Sequence, residues 1–203
     1  MRKITINLAA VAAFCIVVAS PALVSSSCAT PQTEQEDTTI IREDLGITAL
    51  KYSSPEVPSS IEFCGKVIDL SRFDRHERMD RELLAFTYMH STSLQMLKKA
   101  NRYFPIVEPI LKENGIPDDF KYLMVIESNM NPTARSSAGA AGLWQFMQGT
   151  GRDYGLEVNN NVDERYHIEK ATRAACRYLK DAYAKYKDWV AVAASYNAGQ
   201  ARI

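Results

Sequence analysis

The spacing of apolar and polar residues predicts helices from about residue 80 to the end of the chain. In this region apolar residues recur every three or four positions, which places them on one face of a helix. The first of these helices begins at about residue 80. We expect Pro105 and Pro109 to interrupt the helix that follows it or to lie near the start of that helix, and Gly115 to mark its end. Residues 61–70 alternate enough to predict a short strand or an extended strap.

The C-terminal half of the chain predicts further helices. Residues 118–128 follow a proline and begin with two acids, which favour the first turn of a helix. Short helices separated by glycines are expected within residues 142–154. Longer helices are predicted over Ile168–Tyr186 and Trp189–Ala198, the second with Asp188 as its N-cap. No internal repeat, sustained heptad or convincing sheet is visible, so the predicted fold class is mostly α.

The first 29 residues have the layout of a signal peptide. Two basic residues precede an apolar stretch at residues 8–18, which is too short for a comfortable membrane span. Cleavage after Ala29 fits the preference for small residues. In the alternative, Cys28 is a lipid-attachment residue that anchors the exported protein to a membrane.

The remaining chain divides into a polar linker, residues 30–60, and one domain, residues 61–203, which is long enough to bury a core. The 24 basic and 24 acidic side chains balance, and removing the leader takes away two basic residues. The mature part is therefore slightly acidic, which argues against a nucleic acid as partner. An uncharged or mixed-charge polymer such as a glycan fits this surface better.

Glu127 is the acid whose surroundings predict chemistry. It closes an apolar run, residues 122–126, at the C-terminal end of a predicted helix, and no other acid occurs within residues 129–152. Apolar surroundings and the negative helix end both raise the pKa of a carboxyl group. A carboxyl group that stays protonated near neutral pH can act as a general acid. Taken alone, however, Glu127 is more typical of a solvated acid at a helix end.

Other reaction chemistries find no support in the sequence. The three histidines lack metal-binding spacing, and neither a nucleophilic serine elbow nor a phosphate-binding loop occurs. We therefore expect no metal and no cofactor. Cys64 and Cys176 could pair in an oxidising compartment, but we expect Cys176 to be a buried free thiol.

Three motifs carry a resemblance to a known family. They are Glu127-Ser128, then Gly-Leu-Trp-Gln-Phe-Met at residues 142–147, then Ala-Ser-Tyr-Asn-Ala-Gly at residues 194–199. In this order and spacing they resemble the lytic murein transglycosylases, most of all the membrane-bound transglycosylase D branch. These enzymes share a glycoside hydrolase family with goose-type lysozymes. The likeness runs from about residue 80 to the end of the chain.

The resemblance implies a lysozyme-like helical domain, exported to the bacterial envelope, that acts on the glycan strands of peptidoglycan. Glu127 would protonate the oxygen of the MurNAc-β-1,4-GlcNAc bond. It would then act as base on the C6 hydroxyl group of the same MurNAc, which leaves a 1,6-anhydro end. A remote second carboxylate, Asp163 or Glu164, stays open.

The same resemblance assigns the substrate-binding residues. Ser128 would orient Glu127 or the N-acetyl group, and Gln145 and Met147 would line the glycan cleft. Tyr196 and Asn197 would lie beside the catalytic acid. Trp144 and Phe146 could either line the cleft or pack in the core, and the core is favoured for Phe146.

Two alternatives to the transglycosylase remain. One is a hydrolytic lysozyme, in which water replaces the C6 hydroxyl group. The other is an inactive peptidoglycan-binding envelope protein, because the chain stops at Ile203 whereas relatives continue with further helices. On that comparison we expect a truncated domain, with instability, weak binding or inactivity as the open consequences.

Overall fold

The structure, a computed structural model, describes residues 54–198. The expectations for the leader, for Cys28, for most of the linker and for residues 199–203 lie outside this range. Within it, a β-hairpin is followed by six α-helices and two 3₁₀ turns, so the mostly α fold class is confirmed. The helices are α1 (Phe73–Tyr88), α2 (His90–Glu113), α3 (Leu123–Ser128), α4 (Gln148–Asp153), α5 (Ile168–Tyr186) and α6 (Trp189–Ala198). The 3₁₀ turns span Asp118–Tyr122 and Glu164–Tyr166.

The strap predicted at residues 61–70 is a two-stranded antiparallel hairpin. Strand β1 (Ser60–Phe63) pairs with β2 (Lys66–Asp69), and Cys64 and Gly65 make the turn with φ angles of 50° and 78°. Two-residue hairpin turns favour positive φ at both positions because their twist then matches that of the strands. The expectation of no convincing sheet was therefore wrong, since strands of four residues are too short for alternation to stand out.

The hairpin is fixed to the helical body by three kinds of contact. The backbone N–H of Cys64 donates to the Asp119 carboxylate at 2.7 Å. The Phe63 ring meets Phe120 at 6.0 Å between centroids, and Lys66 forms an ion pair with the N-cap residue Asp188. One of the two acids predicted to favour a helix start thus holds a turn 55 residues earlier in the chain.

Helix α2 continues through Pro105 and Pro109, so the expectation that these prolines interrupt it or lie near its start was wrong. A proline removes a backbone hydrogen bond and normally kinks a helix. Both prolines are exposed and lie four residues apart, on one face, while Phe104 and Val107 are buried. The lost hydrogen bonds therefore face water, and core packing maintains the helix. Gly115 follows its end with φ 66°, as expected.

The other helical predictions had mixed outcomes. Residues 118–128 form a 3₁₀ turn and then the short helix α3, rather than one helix. Helices α5 and α6 have the predicted bounds, and the Asp188 carboxylate caps α6 by accepting from the N–H of Val190 at 2.9 Å. The helical region, however, begins at Phe73 rather than near residue 80. Cys176 is a buried free thiol as expected, and Cys64 is also unpaired.

The segment 142–147 contributes to the core rather than to a helix. Trp144 and Phe146 are both buried, and α4 is the only helix formed in residues 142–154. The indole Nε1–H of Trp144 donates to Thr172 Oγ1 at 3.0 Å, and this hydroxyl donates to the carbonyl of Ile168 at 2.7 Å. A chain of two hydrogen bonds thus ties the segment to α5.

Among residues 54–198, no helix is both long enough and apolar enough to cross a membrane.

We predict that Thr172→Val destabilises the protein, because it leaves the buried indole N–H of Trp144 without an acceptor. The free energy of unfolding should fall by about 1–3 kcal/mol, measured by urea denaturation. Thr172→Ser keeps the hydroxyl group and is the matched control, with a smaller loss. Equal losses in the two variants would show that the hydrogen bond contributes nothing.

Candidate active site

Glu127 lies in the last turn of α3, directly after a buried run. Leu123, Met124 and Val125 are all inside the core, and the Glu127 side chain itself is half-buried. Burial raises the pKa of its carboxyl group from an ordinary value of 4.5 to about 7, because the charged form loses hydration. A large fraction of the carboxyl groups is thus protonated near neutral pH.

No residue of the described part of the chain forms an ion pair with Glu127. Asp163 and Glu164, the two acids considered as remote partners, are hydrogen-bonded to other residues. The Arg165 side chain donates to Asp163 and lowers the pKa of that carboxyl group, and the backbone N–H of Glu157 does the same for Glu164. The pKa shifts of these two acids are therefore opposite in direction to that of Glu127.

Tyr196 lies within electrostatic reach of Glu127. Burial, and after it the charge of Glu127, raises the pKa of the Tyr196 hydroxyl, so the phenol stays protonated. Its Oη donates to the backbone carbonyl of Trp144 at 2.8 Å, and its ring meets Tyr178 edge to face at 5.2 Å. Asn197 follows in α6, but its side chain lies outside what the structure describes.

Ser128 connects α3 to the segment of the second motif. Its buried Oγ lies 2.9 Å from the carbonyl oxygen of Met124 and 3.0 Å from that of Leu143, so one hydroxyl proton serves both acceptors. Within the described residues these two carbonyls are its hydrogen-bond partners. The observed contacts of the Ser128 side chain thus hold the backbone around Glu127.

The segment 139–147 is a tight loop. Ala141 and Phe146 exchange two backbone hydrogen bonds, of 3.0 and 3.1 Å, and close the loop between them. Gln145 has a left-handed backbone with φ 49°, and its Nε2 donates to the carbonyl of Gly142 at 2.8 Å. Met147 follows, and the residue is 46% exposed. Both predicted cleft residues therefore lie on or beside one ordered loop.

Gly142 is where the loop approaches the rest of the structure most closely. Its φ is 78°, and an added Cβ atom would lie 1.9 Å from the backbone oxygen of Arg165. No side chain fits at that distance. Glycine is required here both by the left-handed backbone and by the close approach.

Arg165 is a residue of this region that the sequence did not reveal. Its side chain is only 4% exposed and pairs with Asp163. Nothing in the local sequence separates it from exposed arginines such as Arg173, since burial of an arginine depends on distant acceptors.

Within residues 54–198, no group of three or more histidine, cysteine, aspartate or glutamate residues could hold a metal ion.

Comparisons with known proteins find a matching family and related proteins. Residues 105–203 match the family described as "Transglycosylase SLT domain". The chain is 31% identical over 128 residues to membrane-bound lytic murein transglycosylase D of Escherichia coli K12, and the match covers 63% of this chain and 27% of that protein. It is 33% identical over 93 residues to peptidoglycan transglycosylase gp16 of phage T7, covering 44% of this chain and 7% of gp16. The chain thus spans about a quarter of the length of its E. coli relative.

We predict that three glycine-to-alanine variants differ sharply in stability. Gly142→Ala adds a clash to a left-handed backbone and should lose about 3 kcal/mol or more. Gly139→Ala has φ 88° but open space around it, so it should lose about 1–2 kcal/mol. Gly149→Ala, in a helix and in open space, should be neutral or slightly stabilising.

Urea denaturation of the three variants checks this order. If Gly142→Ala were no worse than Gly139→Ala, the close approach to Arg165 would not constrain the loop.

Proposed function

Residues 105–203 belong to the transglycosylase SLT domain family, and from this premise we propose that the chain is a peptidoglycan lytic transglycosylase. It would cleave the MurNAc-β-1,4-GlcNAc bond of glycan strands without adding water. The observation that carries the proposal is the half-buried Glu127, whose pKa is raised to about 7 without an ion-pair partner in the described residues. Such a group can give a proton and take it back at neutral pH.

In the proposed reaction Glu127 first acts as a general acid. Its proton goes to the glycosidic oxygen as the bond from that oxygen to C1 of MurNAc breaks. Glu127, now a carboxylate, then accepts the proton of the C6 hydroxyl group of the same sugar. The C6 oxygen bonds to C1, which gives a 1,6-anhydroMurNAc end and restores the protonated acid.

The surroundings of Glu127 support this route over a two-carboxylate one. Most glycosidases use a second carboxylate as nucleophile or base. Asp163 and Glu164 are hydrogen-bonded to other residues, which lowers the pKa values of both carboxyl groups. A reaction that uses the substrate's own hydroxyl group needs only one catalytic carboxyl group from the protein.

We assign supporting roles to the residues around the acid. Tyr196 remains protonated next to Glu127 and would stabilise positive charge that develops at the anomeric carbon. Gln145 and Met147 would contact the glycan, and Asn197 would help to orient it. Ser128 would act through the backbone by fixing the end of α3 to the carbonyl of Leu143.

We also propose that the protein works in the bacterial cell envelope. This location follows from the substrate and from the signal-peptide layout of residues 1–29. The E. coli relative is named as membrane-bound, which is compatible with lipid attachment at Cys28. Anchoring through that cysteine is part of the proposal.

The product of the reaction tests the function. Purified peptidoglycan incubated with the protein should release anhydro-muropeptides, identified by mass spectrometry, and Glu127→Gln should release none. Glu164→Gln is the matched control and should keep the activity, because that acid is engaged with Lys170 and Glu157. Products with reducing MurNAc ends would instead identify a hydrolytic lysozyme. Binding without any product would identify a non-catalytic peptidoglycan-binding protein.

The pH dependence tests the role of the buried acid separately. Because the reaction starts from protonated Glu127, kcat/KM should be high at acidic pH and fall as the pH rises through about 7. Initial rates on purified peptidoglycan between about pH 3.5 and 9, at constant ionic strength, measure this decline. A decline centred near the ordinary carboxyl value of 4.5 would contradict the effect of burial.

A further inference from the structure

Arg165 uses its whole guanidinium group inside the protein. Nε and Nη2 donate to the two carboxylate oxygens of Asp163 at 2.9 and 2.7 Å. Nη1 donates to the backbone carbonyls of Gly139 at 2.9 Å and Phe146 at 3.0 Å. A buried cation is stable only when it is paired and hydrogen-bonded, and these four contacts meet that condition.

The two carbonyls bound by Nη1 lie on the two sides of the loop that the second motif forms. Gly139 precedes the mutual pairing of Ala141 with Phe146, and Phe146 belongs to it. One nitrogen atom therefore holds both sides of the loop. The backbone oxygen of the same Arg165 also lies close to Gly142, so both the side chain and the main chain of Arg165 contact the loop.

The loop that Arg165 holds carries residues to which the proposed function assigns a role. Gln145 lies inside the clamped loop in a left-handed conformation, and Met147 follows its end. The carbonyls of Leu143 and Trp144, also inside the loop, receive the hydroxyl groups of Ser128 and Tyr196. Loss of the Arg165 contacts at Gly139 and Phe146 would therefore release Gln145 and Met147, while the hydrogen bonds from Ser128 and Tyr196 still hold the two carbonyls in the middle of the loop.

We propose, on the premise of the function above, that Arg165 is a positioning residue for glycan binding. Anchored by Asp163, it clamps the loop from Gly139 to Phe146 so that Gln145 and Met147 keep the conformation that binds the sugar. It acts through the loop and does not contact substrate. Lysine cannot replace it, because an ammonium group lacks the planar fork that bonds a carboxylate and two carbonyls at once.

The test compares Arg165→Lys with Arg173→Lys. Arg173 forms an exposed ion pair with Glu113 on the surface of α5, so the same substitution there controls for the chemical change. Kinetics on soluble, uncross-linked peptidoglycan strands give kcat and KM. The dissociation constant for the same strands is measured in a Glu127→Gln background, in which the strands are not consumed.

We expect Arg165→Lys to raise KM and Kd about tenfold, the effect of weakening charge-assisted hydrogen bonds, while kcat changes little. The decline of kcat/KM near pH 7 should stay in place, because Glu127 keeps its surroundings. Hydrogen exchange should speed up at the amides of Ala141 and Phe146, but not in α5. Arg173→Lys should match the native protein in all of these measurements.

Unchanged KM and Kd in a folded Arg165→Lys protein would overturn the proposal and leave Arg165 a purely structural residue. If that variant does not fold, Asp163→Asn decides, since it keeps the carbonyl contacts and an oxygen for the backbone N–H of Arg165, and weakens the charged anchor. A raised KM in folded Asp163→Asn supports the proposal, and an unchanged KM overturns it. Failure of the proposed function is distinguishable, because the native protein itself would then release no anhydro-muropeptides, whatever its Kd for the strands.

Discussion

Two successive carbonyl groups, those of Leu143 and Trp144, connect the three motifs of this protein. The first accepts the hydroxyl group of Ser128, beside Glu127, and the second accepts that of Tyr196. Both acceptors belong to one loop, so its backbone conformation fixes how the end of α3 lies relative to α6. The loop is in turn held by Arg165, whose backbone oxygen lies close to Gly142, so the site depends on a residue outside the motifs.

The electrostatics of the site follow from what surrounds Glu127. Its pKa rises because burial removes water from the charged form, without help from a neighbouring carboxylate. Other acids of the domain have the opposite fate, since Asp163 and Asp188 are hydrogen-bonded in ways that lower their pKa values. The same fold thus shifts the pKa values of these acids in opposite directions, downward where hydrogen bonds stabilise the charged form and upward where burial removes water.

The core supports this arrangement through polar contacts that are satisfied internally. The Trp144 side chain is buried with its N–H bonded to Thr172, while its carbonyl serves Tyr196. The hairpin is held in part by a comparable contact, in which the Asp119 carboxylate accepts the backbone N–H of Cys64. Each of these contacts joins residues far apart in the chain, and an unpaired buried polar group would be costly. The helices are therefore placed by specific hydrogen bonds as well as by apolar packing.

The sequence by itself determined the features that depend on neighbours in the chain. Periodicity gave the bounds of α5, a capping carboxylate gave the start of α6, and the apolar run before Glu127 placed that acid at the end of a helix, while the burial that raises its pKa is a tertiary effect. The tertiary structure alone decided that α2 passes through its prolines, that Trp144 is a core residue and that Arg165 is buried at the site. These outcomes depend on packing and hydrogen bonds between distant segments. The free energy of these contacts exceeds the local conformational preferences, and the residues nearby in the chain carry no pattern that predicts them.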